Sequence, residues 1–356
     1  MTAQQDQDSH GTRRWVVSRR AALGLLGTGA GAPLLVAVPG TVRAQPRLDR
    51  VSFVTNWRAQ AEHGGYYQAQ AANLYRDARL EVELRSGGPQ VNPAQLLLGG
   101  RIDMSMGNGL VALNFVRENI PFLCVAAIFQ KDMSVLIAHP NTGFDRFEAL
   151  RGRTILLGAE MRATAWPFLR AKYGLSDDQV RPYTFNLQPF LADRMLVQQG
   201  YLGSEPFSIR QHGIDPAVLL LHDAGYENYG TTINIGARTL ADRREVIGRF
   251  VDATMQGWDQ YLKGPAGGFD TAAANRLIKQ QNPEMTDDVI AFGTRMMNEA
   301  GIVRSGDAAT LGIGAMTEAR WGGFHAEMAK VGVLPAGLDW RRAFDLSLVN
   351  KGIGRA

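Results

Sequence analysis

The densest group of side chains able to meet a ligand runs from Thr55-Asn56-Trp57 through Glu62-His63-Gly64-Gly65-Tyr66-Tyr67. A strand ending at Thr55 would present Trp57 in a loop, and the glycine pair would let the backbone pass close before a helix starts. Free amides at a helix start bind an anion or a carbonyl oxygen. The faces of Trp57 and of Tyr66 or Tyr67 suit stacking on a flat heterocycle, worth about 1 kcal/mol per ring beyond burial. A competing reading packs Trp57 and Tyr67 in the core and gives His63 a helix-capping role. Composition alone leaves both open.

Other junctions between apolar runs and helical patterns carry glycine or a polar side chain: Ser86-Gly87-Gly88-Pro89, Ser105-Met106-Gly107-Asn108, Gly158-Ala159-Glu160 and Phe185-Asn186. Such strand ends are where α/β sheets bind ligands. The stretch Gly200-Tyr201-Leu202-Gly203-Ser204-Glu205-Pro206 adds another. Glu205 reads either as an acceptor for a ligand amine or as a solvated loop carboxylate. The expected ligand-binding set is Asn56, Trp57, His63, Tyr66, Tyr67, Gly88, Asn108 and Gln130 from one lobe. Glu160, Asn186, Tyr201 and Glu205 complete it from the other.

Signatures of catalysis are missing. The chain has no Gly-x-Ser-x-Gly elbow, no His-Glu-x-x-His and no phosphate loop ending in Gly-Lys-Ser/Thr. His63, His139, His212, His222 and His325 lack metal-ligand spacing, so no metal site is expected. Cys124, the single cysteine, lies in the apolar run Phe122 to Phe129 and reads as a small buried hydrophobe.

These residues need a scaffold, and the pattern supplies one. From Val51 onward short apolar or alternating runs interleave with helical periodicity, giving an α/β architecture. Leu80-Glu81-Val82-Glu83-Leu84 alternates as a half-buried strand should, and everything after Ala241 is mostly helical. The expected plan is two α/β lobes joined by a two-strand hinge: residues 45–139 and 235–356 form one, residues 140–234 the other. The crossings are expected near Ala138–Asn141 and Tyr229–Ile235, with a ligand cleft between the lobes.

Residues 1–44 read as an export signal. Ser18-Arg19-Arg20 precedes a modest apolar segment broken by glycine and proline, and Val42-Arg43-Ala44 suits cleavage after Ala44. The paired arginines resemble a twin-arginine signal, used for proteins exported already folded. This segment also holds three of the four net positive charges of the 356-residue chain, so the body gives no basis for a nucleic-acid partner.

Asn56-Trp57, His63-Gly64-Gly65-Tyr66, Gly87-Gly88-Pro89, Gly100-Arg101-Ile102-Asp103, Ala126-Ala127-Ile128-Phe129-Gln130 and Glu205-Pro206 resemble the solute-binding proteins of thiamine-pyrimidine-precursor, sulfonate and nitrate/taurine importers. The resemblance implies a type II periplasmic-binding-protein fold whose lobes close on a small planar ligand. It also implies a monomer in the periplasm, an ABC permease in the inner membrane as partner, and no cofactor. The same branch includes thiamine pyrimidine synthase, which uses lysine-bound pyridoxal phosphate, a donor histidine and a cysteine-rich motif. Here Gly107 falls at the lysine position, Val111 matches the histidine, and no cysteine-rich run exists. The enzyme is therefore the alternative reading.

Overall fold

A computed structural model describes residues 47–355; the expected signal, residues 1–44, lies outside them. The first sheet draws on β1 (Asp49–Val54), β2 (Leu80–Arg85), β3 (Met104–Gly107), β4 (Phe122–Phe129) and β10 (Gly230–Gly236). The second draws on β5 (Ser134–Ala138), β6 (Ile155–Leu157), β7 (Val180–Pro182), β8 (Val197–Tyr201) and β9 (Ala217–Leu220). Their orders are β2-β1-β3-β10-β4 and β7-β6-β8-β5-β9. In each sheet the first three strands are parallel, and the fourth is antiparallel to both neighbours.

The strand chemistry follows position. The edge strand β2 buries Leu80 and Leu84 and exposes Glu81 and Glu83, as its alternation requires. All five residues of the inner strand β5 are buried. In β4, Cys124 is fully buried, and burial pushes its thiol up to about 12, so it behaves as the expected small hydrophobe.

The lobe boundaries differ from the sequence expectation by one strand. β5, expected in the first lobe, pairs with β8 and β9 in the second sheet. Residues 230–234, expected in the second lobe, belong to β10 of the first sheet. The second sheet is thus built from the consecutive strands β5 to β9, the first takes its inner strand β10 from beyond them, and the crossings fall at residues 130–133 and 221–229. Apolar strands buried on both faces carry no mark of which sheet they join.

The helix Gly64–Ala71 lies against the 27-residue helix Ala237–Lys263 in the first lobe. A Cβ on Gly65 would collide with the Trp258 ring, and one on Gly257 with the carbonyl of Gly65. The glycines bring two helices together rather than exposing backbone to a ligand. The later helices Ala272–Gln281, Asp287–Glu299 and Glu318–Lys330 agree with the helical last third. Among the described residues no helix is long and apolar enough to cross a membrane.

Candidate functional site

The loop after β1 is tied before it can present anything. Thr55 Oγ1 donates to the Trp57 carbonyl at 2.8 Å and accepts from the Gly87 amide at 3.2 Å. A Cβ on Gly87 would strike the Thr55 carbonyl, so glycine is required there, whereas the expected Gly88 has free space around it. Fixed in this way, Trp57 is carried into the second lobe. Its indole stacks on Tyr183 with ring centres 6.1 Å apart and planes 16° from parallel. Phe185 and Tyr201 meet it edge-on at 6.1 and 6.5 Å. A Cβ on Gly158 would lie 3.0 Å from the indole, and the Gly158 amide is held by Gln199 Oε1 at 2.5 Å. Trp57 is 2% exposed, yet its Nε1 has no hydrogen-bond partner. Two pockets of about 520 and 510 Å³ flank this aromatic group and share Arg58, whose guanidinium sits 5.3 Å above the Phe185 ring.

Two polar bridges cross the same seam. Asn56 Nδ2 donates to Tyr201 Oη at 3.2 Å, and Asn108 Nδ2 to Glu160 Oε1 at 2.8 Å. Asn108 is at once a binding candidate and an N-cap, since its Oδ1 accepts from the Val111 amide at 3.1 Å. Between the bridges lies an inner cavity of about 20 Å³ bordered by Asn56, Asn108, Asp132, Glu160 and Tyr201. Gly107 and Glu160 also line a larger, mainly apolar pocket of about 200 Å³ formed with Met106, Val111 and Phe115.

The seam is rich in buried carboxyl groups, and His222 lies near enough to Asp132 to act on it electrostatically. Burial raises the Glu160 carboxyl to about 8, with nearby Asp132 adding repulsion. Burial also raises Asp132 and Glu205, although hydrogen bonds oppose the shift in both. Glu62 rises to about 8, again chiefly by burial. Neither Glu62 oxygen has a partner, and a Cβ on Gly203 would stand 2.5 Å from one of them.

Of the twelve expected residues, Asn56, Trp57, Asn108, Glu160 and Tyr201 come together at this seam. Others have different duties. Tyr66 stacks on Phe53 at 4.7 Å inside the first lobe, and Tyr67 donates to Gln281 Oε1 at 2.8 Å from a fully buried ring. His63 is 1% exposed, makes no side-chain cap and is driven down to about 3 by burial. Gln130 ties β4 to the Ala127 and Ala315 carbonyls at 3.1 and 3.0 Å. Asn186 is exposed and accepts from the Gln188 amide at 3.0 Å, while lining the pocket of about 520 Å³ beside Tyr183 and Phe185. Glu205 is neither solvated nor free. It accepts from Tyr183 Oη at 3.1 Å, from the Tyr201 amide at 2.9 Å and from Ser204 Oγ. It thereby orients the ring that Trp57 meets.

Tyr183 and Asp132 escaped the sequence reading. Tyr183 follows a three-residue strand with exposed Arg181 and Pro182, which gives little periodicity to read. Asp132 sits in the 130–133 crossing, where a lone carboxylate between two apolar runs was the available signal. Gly107, where the resemblance places the lysine of the synthases, offers no amine, so these residues do not fit an amine-linked pyridoxal phosphate.

Comparison with known proteins agrees with this architecture. The riboflavin-binding protein RibY of Chloroflexus aurantiacus is 23% identical over 91% of this chain and 92% of its own. The 4-amino-5-hydroxymethyl-2-methylpyrimidine phosphate synthase of Aspergillus parasiticus is 22% identical over 36% of this chain and 38% of its own. The alkanesulfonate-binding protein SsuA of Xanthomonas axonopodis, solved with MOPS, superposes with a TM-score of 0.59 at 14% identity, over 85% of this chain and 100% of that one. That likeness shows a periplasmic-binding-protein fold of two α/β lobes. The family described as NMT1/THI5 like matches residues 60–267, more than half of the sequence. With its two sheets and its aromatic seam in that frame, the chain belongs to the NMT1/THI5-like family.

Proposed function

We propose that this protein is the exported solute-binding component of an ABC importer. It holds a small planar heterocycle, of the kind represented by thiamine pyrimidine precursors, by closing its lobes. The observation that carries the reading is the near-parallel pair Trp57 and Tyr183, one ring from each lobe. When the lobes part, a flat ring enters between them; when they close, both faces of that ring leave water. The unpartnered Trp57 Nε1 and Asn56 Oδ1 stand beside the pair as donor and acceptor for the ring's polar edge.

Export by the twin-arginine route, residence in the periplasm as a monomer and docking of the closed lobes on a membrane permease complete the proposal. The ligand leaves chemically unchanged. Gly107 and Val111 stand where the resemblance places the amine and imidazole of the synthases, which supports binding over the biosynthetic alternative.

A thermal-shift screen with pyrimidines, riboflavin and alkanesulfonates tests the reading. A ligand that binds only the folded protein raises the melting temperature by mass action. Trp57→Ala and Tyr183→Ala are each expected to weaken the best ligand about tenfold or more while leaving a folded protein. A screen without any shift, or two variants that bind as tightly as the parent, rejects it.

A further inference from the structure

The lobes touch at a second place, beside the aromatic seam and built from different residues. Gly203, in the loop between β8 and the helix Glu205–Gln211, belongs to the second lobe; Gly293 lies inside the helix Asp287–Glu299 of the first. Both are buried. A Cβ on Gly203 would stand 2.5 Å from Glu62 Oε1 and 2.9 Å from the Gly293 Cα, and one on Gly293 would stand 3.0 Å from the Gly203 carbonyl oxygen. Two backbones therefore meet with no side chain between them. Glycine weakens a helix interior, and here it permits that approach. Outside the glycines, the rings of Phe207 and Phe292 come within 5.0 Å of each other. The helix Glu205–Gln211 sends Ile209 into the core of its own lobe, which leaves Phe207 to the neighbouring one.

We infer that this contact is a latch: Gly203 on Gly293 and Phe207 on Phe292 hold the lobes shut and set the balance between open and closed forms. The inference rests on the lobe-closing reading above and concerns its regulation. None of these four residues borders the pockets flanking Trp57, the inner cavity or the larger apolar pocket. The latch therefore governs retention of a ligand it does not meet. A protein whose binding-competent form is only a fraction of the total binds more weakly by that fraction. Whatever loosens the latch thus lowers affinity from a distance.

Gly203→Ala is the selective probe. Gly203 has no positive φ, so alanine suits its backbone. The three atoms nearest its added Cβ all belong to Glu62 and Gly293 of the first lobe, whereas a Cβ on Gly293 would also strike Ala61 of its own lobe at 2.8 Å. The methyl group is a wedge felt only when the lobes are shut. Small-angle scattering of ligand-free Gly203→Ala should give a larger radius of gyration than the parent. Phe207→Ala removes the outer contact without a wedge and should shift the radius the same way. Gly323→Ala, on a helix with open space around that position, should leave it unchanged. Shortening the opposing side chain, in Gly203→Ala with Glu62→Ala, should return the radius part of the way. Damage confined to the second lobe would show no such rescue. Riboflavin, followed by its own fluorescence, should bind Gly203→Ala about tenfold more weakly than the parent.

Unchanged radii in both Gly203→Ala and Phe207→Ala overturn the latch, as does a Gly203→Ala shift that Glu62→Ala leaves untouched. If riboflavin binds the parent and both variants equally, and the radii match, the binding function stands and the latch falls. A parent that binds neither riboflavin nor any compound of the thermal-shift screen, beside a Gly203→Ala protein that is still wider, rejects the binding function and keeps the latch.

Discussion

Glu62 is enclosed between Gly293 of its own lobe and Gly203 of the second, with no side-chain partner for either oxygen. Its carboxyl is raised from 4.5 to about 8, so the folded chain keeps a proton that the unfolded chain releases. The resulting stability is complete below pH 4.5 and is lost as pH rises towards 8, by at most roughly 1.4 kcal/mol per pH unit. Glu160 acts in the same direction. His63, lowered from 6.5 to about 3, contributes the opposite slope, which ends near pH 6.5. Between pH 6.5 and 8 the glutamates are unopposed by it, and the melting temperature should fall across that interval. Glu62→Gln should flatten the fall, as calorimetry at closely spaced pH values would show; parallel curves for parent and variant would refute the assignment. Glu62 also marks a limit of residue-level reading. In the sequence it looks like an ordinary helix-start carboxylate beside His63, because burial from a loop more than a hundred positions away leaves no local trace. Trp57 was legible as a presented aromatic, but its partner Tyr183 depended on the fold.

At the level of elements, periodicity served well wherever a strand or helix had one wet face. The alternation of β2 appears where expected, and in the helical last third Phe250, Ala253 and Trp258 are buried along one helix. It failed for β5 and β10, which are buried on every residue and could have joined either sheet. It also misjudged Gly64-Gly65, since a glycine pair that admits a ligand and one that admits a neighbouring helix look alike in sequence. The crossing of Gly64–Ala71 with Ala237–Lys263 supplies a check. Gly257→Val would force a branched side chain against the Gly65 carbonyl and Ala69. Overpacking of this kind costs about 1–3 kcal/mol, so the melting temperature should drop by several degrees. An unchanged temperature would mean that the two helices are free to separate without loss.

For the molecule as a whole, direct polar ties across the aromatic seam include Asn56–Tyr201, Asn108–Glu160 and the Ala159 amide with the Pro89 carbonyl. Asn108→Ser removes the amide that reaches Glu160 but retains an oxygen able to cap the Val111 amide. Small-angle scattering of the ligand-free variant should give a larger radius of gyration than the parent, with the difference shrinking when ligand is added. Identical radii in both proteins would mean that the Asn108–Glu160 bond contributes nothing to closure. The late insertion of β10 into the first sheet has a further effect, on the order of assembly. β5 leaves the ribosome directly after β4, whereas β10 follows only when the whole second sheet has been made. Until residue 236 emerges, β3 and β4 have no strand between them, and the unfinished sheet exposes two unpaired edges. A nascent chain of this protein is therefore most open to aggregation late in translation, and truncation just before β10 should leave a product that chaperones retain.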